Sequence, residues 1–485
     1  MPTSSFGPPN RPPTDPERAT PRDWAATTFR GDIDSLDAAE SFLYSRLNYE
    51  ATPRGDHPFR LQRMRDLVAA ADLGHWLYNP DDRGVNVDPS RQRARIVHIA
   101  GTKGKGSTTT ILQSILTAAG VKVGTYTSPH LENLRGRFRV GGHPIDPPTL
   151  IQSVRRIAVA VAKMGNDGDA TTFFELTTAV AVDVFQHAGC DVVILEVGLG
   201  GRLDSTNVFD AEIAAVTTIG LDHQHILGHD HASIATEKCG IFKRGRPAHT
   251  SVRHVAARRV VIETASRLAC PLRCIDRDFR VDGAPAADWG SDLTYTDRSS
   301  GRSMTAPLAI EGDHQGINAA LAIDIATKHF DAPESAVRRG LAGAGPPARL
   351  ERFPVEGRTV LLDTAHNADS VAALVRVLKH RLSGEVSRTL LFAASRDKDA
   401  RTMLDRLAGR FDRVILTKFN DNPRAAEPND LRSLIVSDVA VEIIDDPIVA
   451  LNRAVEVTDH GGWIVACGSF FLAAVLRQSL RGGEE

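Results

Sequence analysis

An apolar strand that runs directly into a glycine-rich turn and then into a helix places the strongest constraint on the fold of this chain. The segment RIVHIA (95–100) is followed by GTKGKGS (101–107) and by the helical pattern TTTILQSILTAAG (108–120). Glycines in such a turn let backbone N–H groups approach phosphate oxygens, and the following helix adds the positive end of its dipole. Further apolar segments, such as DVVILE (191–196) and EIAAVTTIG (212–220), alternate with helical ones. This order predicts a parallel sheet whose functional loops lie at the carboxyl ends of its strands.

The sequence predicts an α/β protein of two domains, because 485 residues are too many for one ordinary hydrophobic core. Residues 1–35 are rich in Pro, Ser and charge, which predicts a disordered tail. Residues 36–345 should form an N-terminal, P-loop-containing ATPase domain with a parallel sheet and a small antiparallel appendage, a hairpin between residues 278 and 310. Strands and helices alternate again from about residue 358, so residues 346–485 predict a smaller, Rossmann-like α/β domain.

The overall composition excludes several classes of protein. The formal net charge of -2 gives no reason to expect a nucleic acid or an anionic membrane as partner. No apolar segment is long enough to cross a membrane, and the N-terminus lacks the apolar core of a secretory signal. The 5 cysteines are scattered and do not form a disulfide framework, so reduced thiols are expected. These features favour a cytoplasmic enzyme, and a monomer is expected because nothing in the sequence marks a self-complementary surface.

The glycine-rich turn provides the candidate ATP-binding residues, which are Gly101, Thr102, Lys103, Gly104, Lys105, Gly106 and Ser107. Lys105 would bring a mobile positive charge to the phosphates, and the Ser107 hydroxyl could contact phosphate or Mg²⁺. The spacing differs from the common G-x4-G-K-[ST] loop, because Ile99 occupies the position of its first glycine and Gly106 follows the lysine. The alternative is a glycine-rich turn between strand and helix that binds no ligand.

A second candidate is the acidic residue at the end of a buried strand. Glu196 follows DVVIL at the carboxyl edge of the predicted parallel sheet, where such sheets bind their ligands. A carboxylate opposite a phosphate loop suits Mg²⁺, which prefers oxygen ligands and bridges to substrate phosphates. The alternative is a solvated carboxylate at a strand end.

A series of short motifs follows the glycine-rich turn in a fixed order along the chain. They are TSPHL (127–131), EVGLGGRLDSTN (196–207), IGLDH (219–223), EKCGIFK (237–243), GDHQGINAA (312–320), ARLE (348–351), DTAHN (363–367) and GSFF (468–471). Together with GTKGKGS they resemble the folylpolyglutamate synthase/dihydrofolate synthase family, which is related to the Mur peptide ligases. The resemblance covers the chain from about residue 36 to its end. It implies an ATP-dependent ligase that joins an acid to an amino acid.

The resemblance implies a magnesium site. Mg²⁺ would lie among Ser128, Glu196 and His223. Without the family, His223 would be interpreted as a structural histidine, and the histidine-rich segment 223–231 would equally suggest a transition metal. The family also carries a carbamylated lysine at the position of Lys238, where a carbamate would turn a cation into an anion beside the metal. A lone lysine on a helix would otherwise be a solvated charge.

By the same resemblance, Asn318, Arg349 and Asp363 complete the ATP site from across the cleft between the domains. The Asn318 amide could pair with an adenine edge, and Arg349 could stabilise charge on the γ-phosphate. The alternatives are a surface amide, an arginine at the rim of the cleft and, for Asp363, a helix N-cap. ATP and Mg²⁺ are the implied cofactors, with a monovalent cation such as K⁺ as an additional candidate.

The residues implied for the folate or dihydropteroate acceptor are Phe59, Arg60, Leu61, Thr172, Phe174, Asp204 and Ser205. Phe174 could stack on a pterin ring, although an aromatic residue on an apolar helix more often belongs to the core. Residues 59–61 differ from the usual Leu-Gly-Leu pattern of the family. His366 and Ser469 are the candidates for binding the incoming L-glutamate, and the alternative for both is helix capping.

The reaction implied for the chain is the ATP- and Mg²⁺-dependent addition of L-glutamate to the γ-carboxylate of a folate through an acyl phosphate. Dihydropteroate is a second expected acceptor, and Lys105, Lys238 and His366 are the candidate catalytic residues. One alternative is a Mur-type ligase that acts on a UDP-muramoyl substrate, against which the segments TSPHL and GLGGRLDSTN favour folate. The other alternative is a nucleotide-binding scaffold without ligase chemistry.

Overall fold

The computed structural model describes residues 32–48, 61–79, 94–382, 386–419 and 422–482. Most of the predicted tail lies outside these ranges, as do Phe59 and Arg60 of the predicted acceptor site. Ile33 is buried in the core of the first domain. Ser35 accepts a hydrogen bond from the Ala38 N–H and caps the first helix. Packing therefore begins two residues before residue 35, the predicted end of the tail.

Within the described residues, the larger sheet has eight strands in the order β4-β3-β2-β5-β1-β6-β7-β8. They are β1 (Arg95–Ala100), β2 (Val123–Tyr126), β3 (Phe138–Val140), β4 (His143–Pro144), β5 (Val192–Glu196), β6 (Ile213–Val216), β7 (Ala248–Thr250) and β8 (Leu272–Cys274). The pairings of β3 with β2 and with β4 are antiparallel, and the others are parallel. The central strands are buried on both faces, as parallel strands between helices are. The predicted parallel sheet is confirmed.

Helices cover both faces of this sheet. They are α1 (Leu36–Tyr44), α2 (Leu61–Ala70), α3 (Lys105–Ala118), α4 (Pro147–Lys163), α5 (Asn166–Asp169), α6 (Phe173–His187), α7 (Gln224–Leu227), α8 (His231–Cys239), α9 (Val255–Arg267), α10 (Asp313–His329) and α11 (Glu334–Gly343). One core joins α3, α10 and α11 to the sheet, and another joins α1, α2, α4 and α6 to its opposite face. Short 3-10 helices occur at Gly74–Trp76, Leu134–Arg137 and Ser205–Val208.

The register of the central strands brings two functional segments together. Ile99 of β1 lies opposite Glu196, the last residue of β5. The phosphate loop starts at Gly101, directly after β1, and the Thr217 N–H after β6 bonds to the carbonyl of Ala100 (2.9 Å). The phosphate loop and Glu196 therefore lie at the carboxyl edge of the sheet, where the sequence predicts them.

The appendage is larger than the hairpin predicted between residues 278 and 310. It is a three-stranded antiparallel sheet of β9 (Phe279–Pro285), β10 (Ser291–Asp297) and β11 (Ser303–Leu308), with β10 in the centre. Alternate residues of β10, including Leu293 and Tyr295, are buried against α10. The three strands and α10 together bury one face of the appendage, whereas an isolated two-stranded hairpin has only marginal stability in water.

The second domain contains a six-stranded sheet in the order β12-β13-β17-β14-β15-β16. Its strands are β12 (Glu351–Val355), β13 (Arg358–Leu362), β14 (Arg388–Phe392), β15 (Arg413–Leu416), β16 (Ala440–Ile443) and β17 (Trp463–Cys467). Its helices are α12 (Ala368–Arg381), α13 (Ala400–Leu407), α14 (Pro428–Ser433), α15 (Pro447–Val457) and α16 (Phe470–Gly482), with a 3-10 turn at Ala408–Arg410. The sheet is parallel except for β12, so the predicted α/β class of this domain is confirmed.

The appendage joins the two domains. Arg381 at the end of α12 pairs with Glu311, which precedes α10, with an Nε–Oε1 distance of 2.8 Å. Trp289, between β9 and β10, stacks on Trp463 of β17 with ring centroids 5.9 Å apart. The Arg381 guanidinium lies over the Trp289 ring at 5.6 Å. We call these four side chains the interdomain clamp.

Membrane-spanning helices and disulfides are both lacking in the part of the chain that the structure describes. None of its helices is both long and apolar enough to cross a bilayer. The cysteines Cys190, Cys239, Cys270, Cys274 and Cys467 are free thiols in buried positions.

Candidate active site

The phosphate loop is held by the segment that follows β6. The Thr102 N–H donates to the carbonyl of Thr218 (2.7 Å), which ties the start of the loop to its neighbour. Gly104 has a φ of 88°, and a Cβ at this position would lie 2.4 Å from Oδ1 of Asn318. Glycine is required here because a side chain would clash and would strain the backbone. The free N–H groups at the start of α3 follow directly, as a phosphate site requires.

Lys105 and Glu196 face each other at the sheet edge, with Nζ 3.9 Å from Oε1. Glu196 is buried, and the Ser128 N–H lies 3.4 Å from its Oε2. Burial raises the pKa of the Glu196 carboxyl, and the charges of Lys105 and Arg349 oppose this rise. A bound cation would stabilise such a buried carboxylate, which is consistent with the prediction that Glu196 binds Mg²⁺.

The predicted magnesium ligands share one cleft. Ser128 is adjacent to Glu196, and His223 lines the same cleft with a half-exposed ring. Burial lowers the pKa of His223, so its ring is neutral and able to bind a metal. No group of three His, Cys, Asp or Glu side chains in the described residues could hold a metal ion alone. One carboxylate and one hydroxyl suit Mg²⁺, which takes further oxygen ligands from water and phosphate.

Lys238 lies behind the phosphate loop rather than on the wall of the cleft. Its buried Nζ donates to the carbonyl of Gly101 at 3.0 Å. Burial, followed by the charge of Lys105, lowers the pKa of the Lys238 amine to about 7. A large fraction of this amine is therefore unprotonated and nucleophilic at neutral pH. The interpretation of Lys238 as an ordinary solvated helix lysine is wrong.

Lys103 connects the phosphate loop to the second domain. Its Nζ lies 3.3 Å from Oδ2 of Asp369 and 3.4 Å from Oδ1 of Asn367, at the start of α12. The phosphate loop therefore contacts both domains. Asn318 is buried against Gly104 and donates to Oε1 of Gln315 (3.0 Å), so it is not a surface amide.

Arg349 lies in the linker with an unusual backbone on either side. Its neighbours Ala348 and Leu350 have φ values of 49° and 54°, in the left-handed region that non-glycine residues rarely adopt. The carboxylate of Asp363 stabilises this segment, because its Oδ2 accepts the Leu350 N–H at 3.0 Å. The helix α12 is capped by Asn367, so the alternative of Asp363 as its N-cap is wrong. The linker conformation directs Arg349 to the cleft.

Both domains line this cleft, which has a volume of about 1760 Å³. Its described walls include the following predicted site residues: Leu61, Thr102, Lys103, Gly104, Lys105, Gly106, Ser107, Ser128, Thr172, Phe174, Glu196, Asp204, Ser205, His223, Asn318, Arg349, Asp363, His366 and Ser469. Gly101 and Lys238 lie immediately behind this wall. One cavity thus connects the nucleotide, acceptor and glutamate candidates.

Two family models match the chain, the Mur ligase middle domain over residues 99–326 and the Mur ligase glutamate ligase domain over residues 348–470. A folylpolyglutamate synthase of Lacticaseibacillus casei is 33% identical over 446 residues, covering 90% of this chain and 100% of the relative. A dihydrofolate synthase/folylpolyglutamate synthase of Bacillus subtilis is 34% identical, covering 81% of this chain and 87% of the relative. The structure of E. coli FolC in complex with DHPP and ADP has a TM-score of 0.77 and 28% identity, covering 94% of this chain and 100% of that one.

This chain belongs to the folylpolyglutamate synthase/dihydrofolate synthase family. The predicted family, the two-domain α/β fold and the ATP-dependent ligase class are confirmed. These relatives favour glutamate ligation to a folate over the Mur-type UDP-muramoyl alternative. They also support the predicted use of ATP and Mg²⁺.

One acceptor candidate of this family member, Phe174, presents an aromatic ring at the cleft. Phe174 is partly buried and lies against Gly198, where an added Cβ would be 2.5 Å from the ring. Its centroid is 5.9 Å from that of Tyr126 at a tilt of 43°. Leu61, the first residue of α2, lines the cleft as well. The ring thus has one side in the core and a position on the cleft, where a flat ligand could stack.

Two further acceptor candidates, Thr172 and Asp204, have structural roles. Thr172 caps α6 in a reciprocal pair with Glu175, whose carboxylate accepts from the Thr172 N–H at 2.8 Å. The Asp204 carboxylate accepts from the N–H groups of Leu199 (2.9 Å) and Thr206 (3.0 Å) and caps the 3-10 helix that begins at Ser205. Both side chains therefore fix the loops that line the cleft.

The glutamate candidates of the second domain also differ in their tasks. His366 donates from Nδ1 to the carbonyl of Thr364 (2.8 Å), which leaves Nε2 as an acceptor, and burial lowers the pKa of its ring. The Ser469 hydroxyl accepts the Phe471 N–H at 3.1 Å, at the start of α16. Helix capping thus describes Ser469 but not His366.

Two cleft residues are missed by the sequence reasoning. Lys398 lines the cleft after β14, and its charge acts on the ring of His366. The charged segment SRDKD (395–399), which follows the apolar segment RTLLFAA (388–394), could have indicated it. His314 lines the cleft beside Gly312, and the desolvation of its ring lowers its pKa to about 4. Its position within the GDHQ motif was the available signal.

Proposed function

We propose that this chain adds L-glutamate to the γ-carboxylate of a reduced folate through an acyl phosphate, and that it also joins glutamate to dihydropteroate. The observation that carries this proposal is the single cleft that connects the phosphate loop, Glu196 and His366. The names of its relatives, which include both folylpolyglutamate and dihydrofolate synthases, support the two acceptors. A non-catalytic scaffold would not need Lys105 to face the buried Glu196 carboxylate across the phosphate site.

The first chemical step transfers the γ-phosphoryl group of ATP to the acceptor. A carboxylate oxygen of the acceptor attacks the γ-phosphorus, the bond to the β–γ bridging oxygen breaks, and ADP leaves. Lys105 and the N–H groups at the start of α3 bind the phosphates, and Arg349 offsets charge from the linker. Mg²⁺, when bound by Glu196, Ser128 and His223, would neutralise part of the charge on the phosphates.

In the second step the glutamate amine attacks the acyl carbonyl and phosphate leaves. The Nε2 atom of His366 is free to accept the proton that the amine loses, because Nδ1 donates to a backbone carbonyl. Lys398 and Ser469 also line the cleft and would bind the carboxylates of glutamate. A cleft between two domains also excludes water, which would hydrolyse the acyl phosphate.

Lys238 is proposed to be carbamylated. Its unprotonated amine would attack CO₂ and lose a proton, and the resulting carbamate would add negative charge behind the phosphate loop. The pKa of about 7 supports this reaction at neutral pH. Intact-mass analysis in bicarbonate should show the added carbamate in the wild type and not in Lys238→Met. An unmodified mass in both proteins would contradict the proposal.

The cellular setting remains a proposal as well. We propose a cytoplasmic monomer that uses neither a membrane nor a nucleic acid, with K⁺ as an additional cation. The domain limits, a tail over 1–35 and domains over 36–345 and 346–485, are proposed with it. Sedimentation velocity at several concentrations would detect self-association, which would contradict the monomer.

The decisive experiment is ADP release with ATP, Mg²⁺ and L-glutamate, comparing tetrahydrofolate, 7,8-dihydropteroate and no acceptor. Release with both acceptors supports the proposed bifunctional enzyme, and release with tetrahydrofolate alone restricts it to chain extension. If neither acceptor stimulates release, the folate proposal is wrong.

Two variants test the assigned roles. Lys105→Ala and Glu196→Gln should each lower kcat by about a hundredfold or more, because each removes a charge that acts on the transferred phosphoryl group. Arg259→Gln, on the exposed face of α9, is the control and should retain wild-type activity. Circular dichroism should show unchanged folding for all three. Wild-type kcat in either cleft variant would contradict the mechanism.

A further inference from the structure

One part of the cleft wall, to which both domains contribute, differs from the rest of the wall in its chemistry. It is formed by α3, the β3–β4 hairpin, the linker after α11 and the last turns of α16. The residues that define it are Gln113, Arg139, Gly142, Pro346, Arg477 and Arg481. No Phe, Tyr or Trp is among the described residues that these four elements contribute to it. We call it the basic branch.

Three arginines converge on the basic branch from the two domains. Arg139 comes from β3, and Arg477 and Arg481 come from α16. Burial lowers the pKa of Arg139, and the charges of Arg477 and Arg481 lower it further, while the charge of Glu132 opposes this shift. The three guanidinium groups are therefore close enough to repel one another.

Carboxylates offset only part of this charge. Arg477 pairs with Glu351, with an Nε–Oε2 distance of 2.7 Å, and with Glu132 of the first domain. The half-buried Arg139 donates to a backbone carbonyl (3.0 Å). No carboxylate among the described residues forms an ion pair with Arg139 or Arg481. Arg139 is partly desolvated, and its charge is offset only by Glu132, which already pairs with Arg477, so a bound anion would stabilise this arrangement.

The basic branch is continuous with the reaction centre. Arg139 of β3 is paired with Thr125 of β2, and Thr125, Thr127 and Ser128 line the cleft in turn. Ser128 ends this row beside Glu196. Three residues of extended chain span about 10 Å. A short γ-linked glutamyl chain covers this distance, so an acceptor that reacts at Glu196 could place inner carboxylates at Arg139.

We propose that Arg139 and Arg481 bind the α-carboxylates of a γ-linked glutamate chain on the acceptor, and so favour acceptors that already carry several glutamates. This inference rests on the proposed folate ligase. Every γ-linked glutamate keeps a free α-carboxylate, so the negative charge of the acceptor grows with each addition. Guanidinium groups bind such carboxylates with paired hydrogen bonds. A pterin ring, in contrast, would find no aromatic partner among the walls of this branch.

The test compares tetrahydrofolate acceptors with one and with three glutamates in steady-state assays. Arg139→Gln should raise the KM of the triglutamate about tenfold, which corresponds to the loss of one charge-assisted hydrogen bond. The KM of the monoglutamate should change less than about twofold, and kcat and the KM for ATP should not change. Arg139→Lys should restore part of the difference, and Arg259→Gln is the remote control. An equal effect on both acceptors, or no effect, would overturn the proposal.

A competition experiment identifies the anion. Tri-γ-glutamate without a pteridine should inhibit the wild type and should inhibit Arg139→Gln about tenfold less. If inorganic phosphate inhibits in the same Arg139-dependent manner and tri-γ-glutamate does not, the basic branch is a phosphate site and the proposal is wrong. A wild type that releases no ADP with any folate would instead refute the folate ligase itself. If only the inference about the basic branch is wrong, the wild type still turns over the monoglutamate, so the two outcomes are distinguishable.

Discussion

Replacing Arg381 by Ala should weaken the contact between the two domains, because this side chain is the polar centre of the interdomain clamp. Its guanidinium pairs with Glu311 and also donates to the carbonyl of Gly290 at 3.0 Å. The side chains of Arg381 and Glu311 are only 12% and 4% exposed. Solvent therefore screens this pair far less than a surface ion pair.

The expected loss of unfolding free energy in Arg381→Ala depends on the contacts that remain for Glu311. Glu311 keeps one hydrogen bond, from the Gly290 N–H at 2.8 Å, and the charge of Arg352, but it loses its ion-pair partner while it remains buried. Breaking a buried pair on one side costs about 3–5 kcal/mol, and the partial exposure of Arg381 favours the lower end. Arg381→Lys keeps the positive charge but not the planar guanidinium group, so the unfolding free energy should fall by about 1 kcal/mol.

Urea unfolding followed by tryptophan fluorescence and circular dichroism measures this effect. Trp289 and Trp463 stack across the interface, so fluorescence reports the separation of the domains. In Arg381→Ala the fluorescence transition should shift to lower urea and precede the loss of secondary structure. The double variant Arg381→Ala/Glu311→Ala should be less destabilised than the sum of the single variants by about 2 kcal/mol. Additive effects, or a fluorescence midpoint equal to that of the wild type, would refute this reasoning.

Three further changes test other parts of the structure. His98 is buried with its pKa lowered to about 3, so the unfolded chain binds its proton first as the pH falls below 6.5 and the folded state loses stability; denaturation at pH 7 and 5 should show the wild type losing about 2 kcal/mol more than His98→Asn. Glu175→Gln leaves the charge of Arg63 buried, since both are under a tenth exposed, and should lower the unfolding free energy by about 3 kcal/mol, whereas an unchanged melting temperature would contradict this. Gly104→Ala adds about 1 kcal/mol of backbone strain and the clash with Asn318, so calorimetry should show weakened ATP binding, and wild-type affinity would contradict the geometry.

Local patterns predict a large part of the active site. The strand, glycine turn and helix at residues 95–118 are contiguous, so the phosphate loop can be recognised without tertiary information. The position of Glu196 is predicted correctly, because the last residue of a strand in a parallel sheet lies at the carboxyl edge of that sheet. The family motifs add His223, Arg349 and His366, all of which line the cleft.

The roles of polar side chains are harder to predict, because backbone geometry determines whether a side chain caps a helix or binds a ligand. Thr172 and Asp204 cap helices in the fold, although both were proposed to bind the acceptor. Asp363, for which a cap was the alternative, instead holds the strained linker beside Arg349. A side chain of the same type can satisfy either role, and only the positions of neighbouring N–H groups decide between them.

Contiguous patterns and motifs in a fixed order are enough to assign the α/β class, the two-domain order, the phosphate loop and the family. Which distant residues meet depends on how the chain packs in three dimensions. Lys103 contacts α12, Arg381 reaches the appendage, and Arg139 approaches α16 only because the domains pack in one orientation. These contacts join residues far apart in the chain, so their energies depend on burial and on the partner presented by the other domain. No local pattern in the sequence carries that information.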